Sequence, residues 1–103
     1  GANLSRVDFR GANFRDVHFN GTIFEGANFN GATFRKGNFR DVNFRDTDLS
    51  GCHFFNCDFR GADFRGANFY FTNFVGCNLN KTKINKEQKS SLITAMKISI
   101  YEP

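Results

Sequence analysis

Two histidines (His18, His53), three cysteines (Cys52, Cys57, Cys77) and five serines (Ser5, Ser50, Ser90, Ser91, Ser99) are the side chains through which this chain would do nucleophilic or metal chemistry. Nucleophilic hydrolysis needs a serine or cysteine within reach of a positioned base. None of these serines stands in a Gly-x-Ser-x-Gly frame, and no nucleophile accompanies either histidine. The cysteines form no Cys-x-x-Cys and the histidines are isolated, so the ligand spacings of a zinc site are missing. No glycine-rich loop opens a helix to cradle a phosphate. The sequence therefore predicts a protein that is not an enzyme and that uses neither metal nor cofactor.

The charge pattern narrows the partners. The chain has 103 residues, room for one domain, and a formal net charge of +4. Residues 1–80 hold nine Lys/Arg and eight Asp/Glu, whereas residues 81–103 hold five Lys and two Glu. The excess thus sits in the tail, and Arg alternates with Asp along the body. Nucleic-acid binding, which needs basic residues gathered on one face, is not expected. No apolar run approaches the ~20 residues of a membrane-spanning helix.

What must position these residues is a repeat. From Leu4 onward, every fifth residue to Ile84 is apolar: seventeen consecutive positions carry thirteen Phe, three Leu and one Ile. Self-similarity at a fixed period marks a stacked, solenoid-like fold. An α-helix advances ~100° per residue, so a step of five would smear the rings around the cylinder. A straight strand alternates faces at each residue, so an odd step would throw successive rings to opposite sides. The chain must instead turn about every five residues, pointing one large side chain per segment at a common axis.

The flanking positions agree. Two residues before each centre stands a small residue, such as Ala12, Val17, Thr22, Cys52 or Cys57. On an extended segment that is the same face, so large and small side chains fill the interior together. Asn or Asp precedes twelve of the seventeen centres, and nine of the ten glycines share the phase two residues after a centre. Glycine tolerates positive φ, and Asn and Asp bond to nearby backbone, so both belong at corners. The period alone does not separate four sides from three.

Units such as GANFR, GADFR and GANFN resemble the A-(N/D)-(L/F)-x-x unit of the pentapeptide-repeat family, over residues 1–85. The resemblance implies an all-β solenoid, a right-handed quadrilateral β-helix of about four coils, ~20 Å tall at ~4.8 Å per coil. On four sides, Phe55 and Val75 would share one column, with Tyr70 and Phe71 beside them near a corner. Because other outward positions are mostly polar, these four form a candidate interaction patch unless the tail covers it. Cys57 would lie under Cys77, both as reduced, buried thiols. Arginines would form columns, Arg15 with Arg35, Arg40 with Arg60 and Arg45 with Arg65, compensated by Asp16, Asp41, Asp46 and Asp63.

After Ile84 the repeat stops. Asn85 is placed to cap a helix with Gln88 at the capping-box position, and a helix is expected over residues 86–97. Residues 86–103 would then cap the last coil through Leu92, Ile93 and Met96, or hold two copies together, since the family's gyrase-protecting members resemble this chain in having a dimer-forming C-terminal segment. At the other end the repeat runs in phase from Gly1 without a cap, which suggests that sequence has been lost upstream or that this coil edge pairs with another molecule. The functional expectation is a non-enzymatic scaffold that binds an unidentified protein partner through flat faces. The alternative implied by the resemblance is imitation of DNA at gyrase or topoisomerase, disfavoured by a nearly neutral to basic charge. Unpaired cysteines point to a reducing compartment, the cytoplasm.

Overall fold

The computed structural model describes the backbone of residues 1–101 and the side chains of residues 1–95. Each five-residue unit forms one side of a square coil. Backbone bridges join residues twenty apart, as in Asp8 to Asn28, Ile23 to Asn43 and His18 to Asn38, so four units complete a turn. Four sides, not three, are thus fixed by the register. Side one carries the centres Leu4, Phe24, Phe44, Phe64 and Ile84; side two Phe9, Phe29, Leu49 and Phe69; side three Phe14, Phe34, Phe54 and Phe74; side four Phe19, Phe39, Phe59 and Leu79.

Side three is the most regular. Its strands β1 (Asn13–Arg15), β2 (Thr33–Arg35) and β3 (His53–Phe55) pair in parallel, in register and in chain order. On every side the same backbone exchange recurs. Each centre donates upward, as Phe24 N–H does to Asn43 O at 2.8 Å, and the residue before it donates downward, as Asn43 N–H does to Thr22 O at 3.0 Å.

Corners use local chemistry. The residue before the centre turns its side-chain oxygen onto the N–H two residues ahead: Asn28 to Asn30 at 2.9 Å, Asp48 to Ser50 at 2.9 Å, Asn68 to Tyr70 at 2.9 Å. This is the Asx-turn that favours Asn and Asp there. The next residue takes positive φ, which glycine adopts without strain. Gly61 and Gly66 have a second reason to lack a side chain. The Asp41 and Asp46 carboxylates of the coil below fold over them and occupy the space a Cβ would need.

The interior is a shaft of rings. Between coils they stack nearly parallel, Phe44 on Phe64 at 5.3 Å and 3° and Phe34 on Phe54 at 5.4 Å and 14°. Around one coil they meet edge to face, Phe54 with Phe59 at 4.9 Å and 87°. Both arrangements suit the ring quadrupole. Polar members of the small inward column bond down to the preceding coil: Thr72 Oγ1 to Leu49 O at 2.7 Å and Cys52 Sγ to Phe29 O at 2.7 Å. Among the described residues no buried side-chain N or O lacks a partner.

A 3-10 turn at Lys86–Gln88 leads into helix α1, Lys89–Tyr101. The helical region therefore extends beyond the 86–97 expected from sequence. Gln88 makes the junction. Its Oε1 accepts the Asn85 N–H, and its Nε2 donates to Phe64 O at 2.7 Å and Ala67 O at 2.8 Å. In every earlier coil the carbonyl in the position of Ala67 receives a backbone N–H from twenty-one residues on, as Thr47 O does from Asn68. Residue 88 supplies its side chain instead, so this carbonyl keeps a donor although the repeat has ended.

Candidate interaction surface

Tyr70 and Phe71 stand where side two turns into side three. Tyr70 follows the side-two centre Phe69, and its N–H is held by Asn68. Phe71 takes the corner position occupied in the coils below by Gly11, Gly31 and Gly51, and it takes their backbone conformation too, with φ 57°. The other non-glycine residues at positive φ are Arg6, Asp16, Lys36, Asp41, Asp46, Asn56 and Lys81, all polar. A bulky aromatic there is both strained and unable to turn inward. The two rings meet at 4.3 Å and 64°, and they stay exposed at 67% for Tyr70 and 65% for Phe71.

Among the described residues, the tail comes near this pair without covering it. Ser90, Ser91 and Thr94 of α1 form the opposite wall of a cleft of about 250 Å³ beside the two rings. Gln88 of the 3-10 turn and Leu92 and Ala95 of α1 turn inward and are buried, whereas Ile93 is 44% exposed. The expected trio therefore divides: Leu92 packs on the last coil, Ile93 faces solvent, and the Met96 side chain lies outside the described residues. Spacings of four and three from Gln88 set the inward stripe. Sequence reasoning had the right cap residue in Gln88 but gave it only a local role.

Phe55 and Val75 lie in one column of side three, above Arg15 and Arg35. Both are half-buried. The Arg35 guanidinium carbon lies 5.2 Å from the Phe55 ring centre, and the His53 ring lies parallel to it at 6.1 Å. A cation over an aromatic face is attracted by the ring quadrupole. Phe55 thus belongs to an Arg–Phe–His group, while Tyr70 and Phe71 form the open aromatic corner. The twenty-residue register already aligned position 35 under 55; what it lacked was the fold of each side chain across the face.

Ion pairs form within single units rather than between columns. Arg10 meets Asp8 at 2.8 Å, Arg60 meets Asp58 at 2.6 Å, and Arg65 meets Asp63 at 2.7 Å. Hydrogen bonds from Arg10 hold the Asp8 carboxyl down to about 2, and those from Arg60 and Arg65 depress Asp58 and Asp63. Of the four aspartates expected to compensate the columns, Asp63 does so through its own unit. Asp41 and Asp46 are turned over Gly61 and Gly66.

The three cysteines are free. Cys57 and Cys77 are neighbours in successive coils, and the Asn78 N–H bonds to the Cys57 carbonyl at 3.1 Å. Burial pushes the Cys52 thiol up to about 12, and the Cys57 thiol together with burial raises that of Cys77. Both remain protonated and weakly nucleophilic near neutrality. Among the described residues, no group of three or more His, Cys, Asp or Glu is gathered that could hold a metal ion, and no helix is long and apolar enough to cross a membrane.

The family model described as pentapeptide repeats (8 copies) matches residues 2–41 and 43–80. The chain belongs to the pentapeptide repeat family. Its coil is accordingly the right-handed quadrilateral β-helix of that family. Among solved structures, this pentapeptide repeat protein is similar to alr5209, a pentapeptide repeat protein from Nostoc PCC 7120, at 28% identity over 79% of this chain and 67% of that one, with a TM-score of 0.56. It is also similar to QnrB1, a plasmid-mediated fluoroquinolone resistance protein, at 18% identity over 94% of this chain and 86% of that one, with a TM-score of 0.52. At that identity the second likeness concerns the fold alone. No curated protein matches the sequence.

Proposed function

We propose that this pentapeptide repeat protein is a rigid, non-enzymatic module that binds another protein, with the Tyr70–Phe71 corner as the anchor. The observation that carries the reading is Phe71. An aromatic ring at a glycine corner, at φ 57° and 65% exposed, lowers stability on two counts, and the ring it meets is that of the equally exposed Tyr70. Large exposed aromatics of this kind are the usual hot spots of interfaces. The rest of the body suits a scaffold. Its corners are short and regular, and the Ser50 hydroxyl that bonds to the Asp48 carboxylate does so within its own Asx-turn. Three free thiols favour a reducing compartment, so the cytoplasm is the proposed location.

Imitation of DNA at a topoisomerase is the weaker reading, because it requires a phosphate-like field. The Asp58 and Asp63 carboxylates are paired with arginine, and side three has no carboxylate among its outward residues. The experiment is affinity capture from cells of the source organism, comparing the wild type with a Tyr70→Asp, Phe71→Asp double variant. A specific partner retained by the wild type and lost by the variant is expected; identical recovered sets would remove the reading. In parallel, gyrase supercoiling with and without quinolone is expected to be unaffected at micromolar protein.

A further inference from the structure

The four sides differ in charge more than their common repeat suggests. Outward positions on side one include Glu25 and Asp63, on side two Asp8 and Asp48, and on side four Asp58. Side three presents Asn13, Arg15, Thr33, Arg35, His53, Phe55, Asn73 and Val75, without one carboxylate. At its borders the single carboxylate is Asp16, and Lys36 sits directly above it in the corner column. Among the described residues neither Arg15 nor Arg35 makes an ion pair, unlike Arg10, Arg60 and Arg65. Among the described residues, side three alone carries named strands, the parallel ladder β1–β2–β3.

We infer that side three is a docking face for an acidic protein segment bearing apolar side chains. The inference rests on the reading of the molecule as a protein-binding module and adds which side is used and what chemistry it takes. Arg15 and Arg35 stand one above the other with their guanidiniums uncommitted to carboxylates, and such forks match carboxylates geometrically. Phe55, beside Arg35 and His53, and Phe71 at the upper corner supply the apolar contacts. Single-stranded nucleic acid would also meet cations and rings here. Its affinity, however, grows with the number of phosphates neutralised, and Arg15, Arg35 and Lys36 are the only cations on this side and its borders. A carboxylate-bearing segment needs only two such forks to be oriented.

The test is fluorescence anisotropy of the full chain with three labelled probes: a peptide of four Glu-Glu-Phe repeats, its Lys-Lys-Phe counterpart, and a twelve-nucleotide oligothymidylate. The variants are Arg15→Glu with Arg35→Glu, and a control of Arg40→Glu with Arg45→Glu, which makes the same charge change on sides four and one. Circular dichroism verifies that both remain folded. The expected result is saturable, salt-sensitive binding of the acidic peptide, weakened about tenfold or more by the side-three pair and by less than about twofold by the control. Three outcomes overturn the proposal: no binding of the acidic peptide, equal loss in both variants, or tighter binding of the oligonucleotide. Should any of these occur while Tyr70→Asp, Phe71→Asp still abolishes partner capture, the side and chemistry assigned here fall and the protein-binding reading stands.

Discussion

Coil meets coil through the middle of the molecule, and coil meets helix at its C-terminal end; the two junctions are closed by different means. Between coils the register does everything at once. Phe44 and Phe64 stack at 5.3 Å, and Phe44 N–H reaches Asp63 O at 2.8 Å. Phe24, Phe44 and Phe64 are all fully buried. At the helix, a few side chains carry the contact. Gln88 satisfies two carbonyls, Leu92 and Ala95 are buried in the core, and a cleft remains beside Tyr70 and Phe71. A repeat can close on itself because each copy has the shape of the next, whereas a helix of different period can match the square coil only at points. The most exposed aromatic rings, Tyr70 and Phe71, consequently lie at this junction, whereas the central rings of the middle coils are buried.

Three substitutions probe that difference. The largest effect is expected from Phe44→Ala, which removes a ring stacked above and below and leaves a cavity that the rigid coils cannot collapse. A loss of about 3–5 kcal/mol is expected in denaturant unfolding. If the loss is under about 1 kcal/mol, the coils are more deformable than close packing implies.

Next comes Gln88→Ala, which leaves the Ala67 carbonyl without its side-chain donor at the edge of the last coil. The expected cost is about 1–3 kcal/mol. Hydrogen exchange should locate it, with amides of α1 losing protection while those near Phe34 and Phe39 keep theirs. Uniform loss across the chain would mean that the helix and the stack unfold as one unit.

The smallest effect has the opposite sign. Phe71→Gly relieves a strained backbone and removes exposed apolar surface, so the thermal midpoint should rise slightly, by the equivalent of about 0.5–1 kcal/mol. The same variant should lose partner binding. A clear fall in stability would show that Phe71 belongs to the structure of the cap rather than to an interface.

The distribution of legible features follows from distance along the chain. The inward ring at every fifth residue, the small companion two before it, and the Asx-turn at residues such as Asn28 and Asn68 are local consequences of a short period. Gln88 illustrates a half-legible case. Its role toward Asn85 is three residues away and readable from the capping-box pattern, but its reach to Phe64 and Ala67 spans more than twenty residues. Ile93 misled because a short apolar cluster on a helix does not say which of its members faces the coil. Phe71 stood out as an apolar residue among mostly polar outward positions, yet its exposure depended on how near the helix would pass.

By itself, then, the sequence determined the periodic backbone: where it bends, which side chain turns inward, and that successive units stack. These follow from steric rules acting within five residues, repeated often enough that no competing arrangement buries the rings. Only the tertiary structure decided the four-sided register, the division of aspartates between arginine partners and glycine corners, the side free of carboxylates, and the line of the helix across the last coil. Those depend on residues twenty or more apart being brought within hydrogen-bonding distance, which no local preference encodes.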